Sequence, residues 1–249
     1  MTSLQHNEQN SVLEHLIELR KKLFIALFAF IFGCIIAHFF HKEIITFILK
    51  PIGNQHLIFL SPIEPLFFIL KIDCITGFII SFPIIIWCLF SYIIPAFSEK
   101  ARKFVVFFYV TSTLLALIGL WYAFFVMIPI SLNFLSSITI PGIDNSFSVE
   151  KYLSFFITQA LIIMGIFQVP IIVIGGVYLG FLKTKFLSNK RKHIYLILTI
   201  ALAIITPTPD IFNLIIVLLP CIAIFEVSLI GGRIVEFINR KNKQIDIIQ

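Results

Sequence analysis

The sequence predicts an all-α membrane protein with six transmembrane helices, both termini on the cytoplasmic side and the last two spans short. Its 249 residues are 59% hydrophobic and 13% charged, and the mean hydropathy is +1.03. Soluble domains have about 45–50% apolar and about 25% charged residues. Because a water-soluble globule cannot bury so much apolar surface, we exclude an ordinary cytosolic enzyme, a nucleic-acid module and a disordered chain.

Four long apolar runs each supply the ~20 helical residues that cross a hydrocarbon core of ~30 Å. They cover about residues 23–40, 66–94, 104–128 and 152–181. Pro83 interrupts the second run and Pro170 lies inside the fourth. Each proline removes a backbone hydrogen-bond donor, so we expect both to kink their helices. Before the first run, residues 1–22 predict a cytoplasmic amphipathic helix that begins at a capping box over residues 11–14.

The stretch from residue 194 to 230 is interrupted by Thr206-Pro207-Thr208-Pro209-Asp210. Its left limb has only about 13 residues. Basic clusters lie on both sides of the stretch, and if both are cytoplasmic the chain must cross the membrane an even number of times between them. We therefore predict a hairpin of two short spans, which completes six spans over residues 23–232 and leaves residues 233–249 as a cytoplasmic tail.

The distribution of basic residues supports this topology. With the N-terminus inside, 15 of the 19 Lys and Arg residues fall in inside segments and only Lys42, Lys50, Lys71 and Lys151 fall outside. The two larger outside segments cover about residues 41–65 and 131–151. The first has a short interfacial helix near residues 43–48 and is ordered by prolines.

The chain lacks the motifs of common catalytic sites. It contains no H-E-x-x-H, no G-x-S-x-G and no Walker loop. His38 and His41 alone make a poor metal site, and we interpret them as interface histidines. We therefore expect a protein that is not an enzyme and that holds no cofactor and no metal.

Polar residues inside apolar runs are candidates for function because each is costly in lipid. Lys71 and Asp73 lie near the outer end of the second span, where snorkelling would keep them solvated. Gln168 fits either a contact within the chain or a contact with a partner subunit. On the inside face, Glu18 and Lys22 have the i, i+4 spacing of a helical ion pair.

Several motifs occur in the order found in the TatC family, the multispanning subunit of the twin-arginine protein translocase, and the chain resembles that family over nearly its whole length. The motifs are His15-Leu16-Ile17-Glu18-Leu19-Arg20-Lys21-Lys22, Pro51, Glu64-Pro65, Pro83, Tyr92-Ile93-Ile94-Pro95-Ala96, Phe167-Gln168-Val169-Pro170, Thr206 to Phe212, and Phe225-Glu226.

This resemblance implies a receptor that binds the Arg-Arg signal peptides of folded cargo at the cytoplasmic face. It assigns three groups of residues in this chain. The residues expected to bind the signal peptide are Glu18, Arg20, Tyr92, Glu99, Arg102 and Lys103. Those expected to contact partner subunits are Gln168, Pro170, Asp210, Asn213 and Glu226. Those expected to form a structural cap outside the membrane are Pro51, Glu64, Pro65 and Pro83.

The sequence departs from the family pattern at two positions. The acidic residue expected in the first cytoplasmic loop is Ala101 here, and the nearest acid is Glu99. Either Glu99 replaces it or the receptor depends more on Glu18. The Gln expected four residues after Asp210 is Leu214, with Asn213 adjacent.

The resemblance also implies partners and a location. The partners are the single-span subunits TatA and TatB, the signal peptides, the lipid bilayer and further copies of the chain in a receptor complex, with no nucleic acid. Transport would use the proton-motive force, in a bacterial inner membrane or an organellar membrane. An alternative is a secondary transporter or ion channel for small solutes, although no inverted repeat is apparent. An intramembrane protease would lack its nucleophile and partner residue.

Overall fold

The computed structural model describes residues 2–53, 57–93, 99–138, 147–206 and 210–248, and the side chains of residues 16–53, 57–92, 105–138, 147–206 and 210–238. Almost all of these residues are helical. The helices are α1 (Thr2–Phe39), α2 (His41–Leu49), α3 (Glu64–Ile93), α4 (Glu99–Tyr122), α5 (Ile128–Ser137), α6 (Val149–Ile166), α7 (Val169–Tyr178), α8 (Thr184–Asn189), α9 (Arg191–Ile205) and α10 (Ile211–Ile248). Strands β1 (Leu57–Ile58) and β2 (Phe147–Ser148) form one short parallel pair.

Five helical stretches within the described residues are long and apolar enough to cross a membrane. They are Leu16–Phe39, Glu64–Tyr92, Val105–Ser137, Val149–Tyr178 and Ile211–Ile238. The prediction of an all-α, multi-spanning membrane protein is thereby confirmed. Helix α9 has 15 residues and falls below this length, so the sixth span and the orientation of the termini stay predictions.

The third apolar helix is longer than the sequence predicted, which shortens the second outside segment. A π-helical turn, Ala123–Met127, joins α4 to α5, and the Ile128 N–H donates to the Ala123 carbonyl five residues earlier. Pro129 follows directly and has no N–H to donate. We infer that the wider turn accommodates this proline, so that the helix continues to Ser137 instead of ending near residue 128.

Both terminal helices also extend beyond their predicted limits. Helix α1 runs without interruption through residues 11–14, so the prediction that a capping box begins the helix there was wrong. Residues 2–10 contain neither Gly nor Pro, and nothing in them ends a helix. Helix α10 continues through Gly232 into the predicted tail. Its apolar stretch has 28 residues, so the last span is not short.

The described residues form two compact units, of which unit 1 comprises residues 1–48 and 65–113. In unit 1, α1 and α3 are antiparallel, because contacts made by successively later residues of α1 involve successively earlier residues of α3. Lys22 meets Ser91, and His38 meets Asp73. Between these contacts, the backbones approach most closely at Gly33 and Gly77, where a Cβ on Gly77 would lie 2.6 Å from the Cys34 nitrogen.

Unit 2 comprises residues 49–64 and 114–249 and has its own apolar core. The core is formed by the π turn, α6, α9 and α10. Its buried members are Ala123, Met127, Ile163, Ile166, Leu202, Val217 and Cys221. Helix α5 joins this unit through Phe134, whose ring stacks on Phe212 of α10 with the ring centroids 4.0 Å apart.

Pro83 and Pro170, the two prolines within predicted spans, affect their helices differently. Pro83 lies inside α3, which continues through it without interruption, so a kink there stays a prediction. Pro170 lies in the first turn of α7, and the helix is interrupted just before it at Phe167 and Gln168. The Gln168 carbonyl accepts the N–H groups of Ile171 and Ile172, so the new helix begins there. The predicted kink of the fourth span is confirmed.

Replacing Gly77 by Ala should weaken unit 1, because the new methyl group meets the backbone of α1 and the helices must separate. We expect a loss of about 1–3 kcal/mol, as for overpacked cores, measured as a lower thermal midpoint of the purified protein in detergent. Gly175→Ala in α7 is the matched control, since a Cβ there meets nothing within 4 Å. Equal midpoints for the two variants would contradict this packing.

Candidate functional site

The first candidate site lies where the beginning of the apolar part of α1 meets the end of α3. Lys22 Nζ donates a hydrogen bond of 2.7 Å to Ser91 Oγ. Glu18 is one helical turn before Lys22, and Tyr92 follows Ser91 directly. Two of the residues predicted to bind a signal peptide, Glu18 and Tyr92, are therefore held at the same end of unit 1.

Glu18 is half-buried at this end, and its surroundings are basic. Lys22 bonds to Ser91, and the predicted ion pair between Glu18 and Lys22 is absent. Among the side chains that the structure describes, none forms an ion pair with Glu18. The Arg20 guanidinium lies over the Phe24 ring, 5.6 Å from its centroid. A cation–π contact of this kind holds Arg20 along the helix.

The other three predicted signal-binding residues belong to the first turns of α4. The backbone places Glu99, Arg102 and Lys103 there, while their side chains lie outside the described residues. Further along α4, the Tyr109 ring meets Trp87 of α3 edge to face, with the centroids 5.1 Å apart. This contact packs α4 against α3 within unit 1.

The second candidate site is in unit 2, at the beginning of α10. Asp210 Oδ1 accepts the Asn213 N–H at 2.6 Å. Because Asp210 directly precedes the helix and Asn213 is its third residue, this bond is an N-cap. The Asn213 side chain is fully buried, and its Oδ1 accepts a 2.7 Å bond from Ser131 Oγ of α5. Asn213 thus has an internal role, and a direct partner contact there stays a prediction.

Glu226 links α10 to α9. Its carboxylate accepts a hydrogen bond from the Tyr195 hydroxyl and forms a 2.9 Å ion pair with Arg191 Nη2. The Glu226 side chain is 31% exposed, so this polar group is partly accessible from outside the chain. The sequence singled out Glu226 but not Tyr195, which lies one helical turn after Arg191.

Gln168 and Pro170 are half-buried at the interruption between α6 and α7. Sequence reasoning missed a second amide in the same span, Gln159. It is fully buried in α6, and within the described part of the chain neither its amide nitrogen nor its amide oxygen has a hydrogen-bond partner. The sequence could have indicated Gln159, because a Gln within an apolar run is unusual wherever it occurs.

Three of the four residues predicted to form the outside cap lie, along the chain, between the end of α2 and the first turn of α3. Glu64 begins α3, and its carboxylate accepts the Leu60 N–H at 2.8 Å, while Pro65 follows it in the first turn. Pro51 belongs to a 3-10 turn over Lys50–Ile52 that follows α2. Pro83, which the resemblance places in the same group, lies far along α3 instead. Helix α2 confirms the short helix expected in this segment.

A contact between an exposed histidine and a buried carboxylate in unit 1 was not expected. Asp73 is 5% exposed, and its Oδ2 lies 2.8 Å from His38 Nδ1. The interpretation that Asp73 snorkels to solvent was therefore wrong, because α1 covers it. His41 stacks on His38 with the ring centroids 5.4 Å apart. Among the described residues, no group of three or more His, Cys, Asp or Glu side chains could hold a metal ion.

Comparison with known proteins identifies close similarity to one family. Residues 14–220 match the family model described as TatC, Sec-independent protein translocase protein. The chain is 32% identical over 240 residues to TatC of Aquifex aeolicus (strain VF5), covering 93% of this chain and 97% of that protein. It is 28% identical over 229 residues to TatC of Escherichia coli (strain K12), covering 89% and 88%.

The fold is also similar to solved structures. A crystal structure of the twin arginine translocase receptor TatC in DDM matches with a TM-score of 0.79 at 32% identity, covering 88% of this chain and 99% of that chain. A second crystal structure of the twin arginine translocase receptor TatC matches with a TM-score of 0.77 at 30% identity, covering 89% and 99%.

Replacing Asp210 by Ala should destabilise the start of α10, because the Asn213 N–H loses its side-chain acceptor. N-cap losses are about 0.5–2 kcal/mol, and we expect a lower thermal midpoint in detergent. Asp210→Asn keeps an oxygen acceptor and should stay close to the unsubstituted protein. If the Ala variant unfolds at the same temperature as the Asn variant, the cap contributes nothing to stability.

Proposed function

The chain belongs to the TatC family of Sec-independent protein translocase proteins, and on that premise we propose that it is the core receptor subunit of a twin-arginine translocation system. It binds the Arg-Arg signal peptides of folded proteins at the cytoplasmic face. It then assembles with TatA and TatB, and the proton-motive force drives export. The chain is a multi-pass membrane protein, and we place it in a bacterial inner membrane with both termini cytoplasmic.

The half-buried Glu18 carboxylate is the observation that carries this proposal. Arginine guanidinium groups are permanently charged and donate in a planar fork, so a carboxylate is their natural receptor. Glu18 lies among basic neighbours yet forms no ion pair with a described side chain. An incoming arginine would supply the missing cation, and Lys22 would stay bonded to Ser91.

The second arginine needs a further acceptor. Glu99 begins α4, two residues before the Ala101 that replaces the family's loop acid. We propose that Glu99 accepts this arginine, with Tyr92 beside it as an aromatic surface for the guanidinium. Arg20, Arg102 and Lys103 repel other cations near this site, and the repulsion limits where the positively charged side chains of the peptide can lie.

Partner subunits are proposed to dock on unit 2. Gln168 and Pro170 are half-buried at the interruption of an apolar span, and polar side chains in lipid often bond across helix–helix interfaces. Glu226 is partly accessible on α10 and fits the same role. Asp210 and Asn213 support this surface from within, through the N-cap and the bond to Ser131.

Helix α9 is proposed to be the sixth membrane-crossing element. Its 15 residues span only about 22 Å at 1.5 Å per residue, against a hydrocarbon core of ~30 Å. A short span favours local thinning of the bilayer or association with other helices. We therefore propose that α9 both thins the membrane and offers part of the docking surface.

Export of a folded reporter tests the recognition step. In cells that lack their own TatC, this chain should export a reporter with an Arg-Arg signal. Export should fall at least about tenfold with Lys-Lys in the signal or with Glu18→Ala, because an arginine–carboxylate pair is lost. Glu43→Ala, an exposed acid of α2, is the matched control and should export normally.

Two results would contradict the recognition mechanism. One is export that ignores both the Lys-Lys signal and Glu18→Ala. The other is Glu43→Ala lowering export as much as Glu18→Ala, which would indicate a general effect of charge. Glu99→Ala separates the two options for the second arginine, because it lowers export only if Glu99 replaces the family's loop acid.

Lengthening α9 tests the role of the short span. Insertion of four apolar residues after Ile204 should impair export, because the span then matches the bilayer and the thinning is lost. The insertion follows Arg191, Tyr195 and Leu202, so their contacts within unit 2 keep their register. The same insertion after Lys243 is the control. Normal export by the variant with the longer α9 would count against membrane thinning.

A further inference from the structure

A groove in unit 2 between α8 and the end of α10 has no role in the function proposed above. It encloses about 380 Å³. One wall carries Lys185, Ser188 and Asn189 of α8, and the other carries Arg233 and Phe237 of α10. We propose that this groove binds the headgroup of an anionic phospholipid, with the phosphodiester held by Lys185 and Arg233.

The groove is built by direct contacts between its walls. Arg233 Nη2 donates to Ser188 Oγ at 2.9 Å, and the buried Thr184 hydroxyl donates to Glu236. The helices approach closely at Gly232, where an added Cβ would lie 2.9 Å from Thr184 Cγ2. These bonds hold α8 at a fixed distance from α10, so the groove exists before a ligand arrives.

The charges in the groove favour a phosphate. A guanidinium has five N–H donors, and within the described residues Arg233 uses one of them, on Ser188. Lys185 is exposed on the facing wall, and the exposed Lys183 and Lys190 flank α8. Among the described side chains that line the groove, Glu236 is the one acid, and it accepts the Thr184 hydroxyl. Two cations with hydroxyl and amide groups beside them match the acceptor oxygens of a phosphodiester.

The surface around the groove points to a lipid and not to a free anion. Large apolar side chains are exposed on both sides, including Phe186 of α8 at 61% and Phe237 of α10 at 71%. Ile230 and Ile234 continue this exposed apolar surface along α10. An exposed apolar face with basic groups at its end is typical of the membrane interface, where basic grooves between helices bind lipid headgroups.

Lipid binding to the purified full chain in detergent tests the proposal. Native mass spectrometry would compare the bound fractions of phosphatidylglycerol and phosphatidylcholine added at equal concentration. We expect a preference for phosphatidylglycerol that falls about tenfold in the double variant Lys185→Gln/Arg233→Gln. The control variant Lys190→Gln/Lys192→Gln removes two charges from the same segment outside the groove, and it should keep most of the preference.

Two further variants separate ligand binding from a structural role of Arg233. Ser188→Ala breaks the bond between the walls but keeps both cations, and Arg233→Lys keeps the charge. Both should retain the preference for phosphatidylglycerol even if they lower the thermal midpoint. Loss of the preference in Ser188→Ala with Lys185 and Arg233 intact would overturn the assignment of the phosphate to these two cations.

Competition identifies the source of the phosphate. Inorganic phosphate or an acidic peptide, added at matched ionic strength, should leave phosphatidylglycerol bound, because neither supplies acyl chains for the exposed aromatic side chains. Displacement by inorganic phosphate would indicate a general anion site, and displacement by the peptide would indicate a protein-binding surface. Either displacement would overturn the proposal, as would equal binding of phosphatidylglycerol by the groove and control double variants.

Discussion

Two glycines allow α1 and α3 to pack backbone against backbone, and the positions of Glu18 and Tyr92 at one end of unit 1 depend on that contact. A Cβ on Gly33 would lie 2.6 Å from the Gly77 carbonyl oxygen, so any larger residue would push the helices apart. The same antiparallel register joins Lys22 to Ser91 at one end and His38 to Asp73 at the other. Small residues at such interfaces let helices associate in lipid, where no hydrophobic force drives them together. Glu18 and Tyr92 lie at the same end as a result.

A different constraint applies to unit 2, because placing an unpaired polar group in lipid costs free energy. Its polar residues are mostly paired inside the chain, since Asn213 bonds to Ser131 and Glu226 bonds to both Tyr195 and Arg191. Gln159 differs from them, with a buried amide that no described group satisfies, and the Arg191 Nε is likewise buried without a described partner. These internal pairs tie α5 and α9 to α10.

Hydropathy and charge predicted the fold class and the long apolar helices, since both are properties of composition over about 20 residues. The ends of the helices and the side-chain contacts between helices were harder to predict from the sequence. The predicted third run ended near residue 128, yet a π turn carries the helix past Pro129 to Ser137. Asn213 bonds to a serine 82 positions away, and no local pattern reveals such a contact. The prediction that Asp73 is exposed to solvent failed for the same reason, because Asp73 is buried by contact with α1, which is distant in sequence. The motif order singled out Glu18 and Glu226 as candidates, while Tyr195 and Gln159 belong to no motif.

Direct binding of a signal peptide to the purified chain tests the central claim, that Glu18 receives an arginine. Fluorescence anisotropy would follow a labelled peptide with Arg-Arg or Lys-Lys, titrated with the unsubstituted protein or with Glu18→Gln. We predict tight binding only for Arg-Arg with the unsubstituted protein, and a loss of at least about tenfold when either partner of the pair is changed. Equal affinities for both peptides, or an affinity unchanged in Glu18→Gln, would contradict the account.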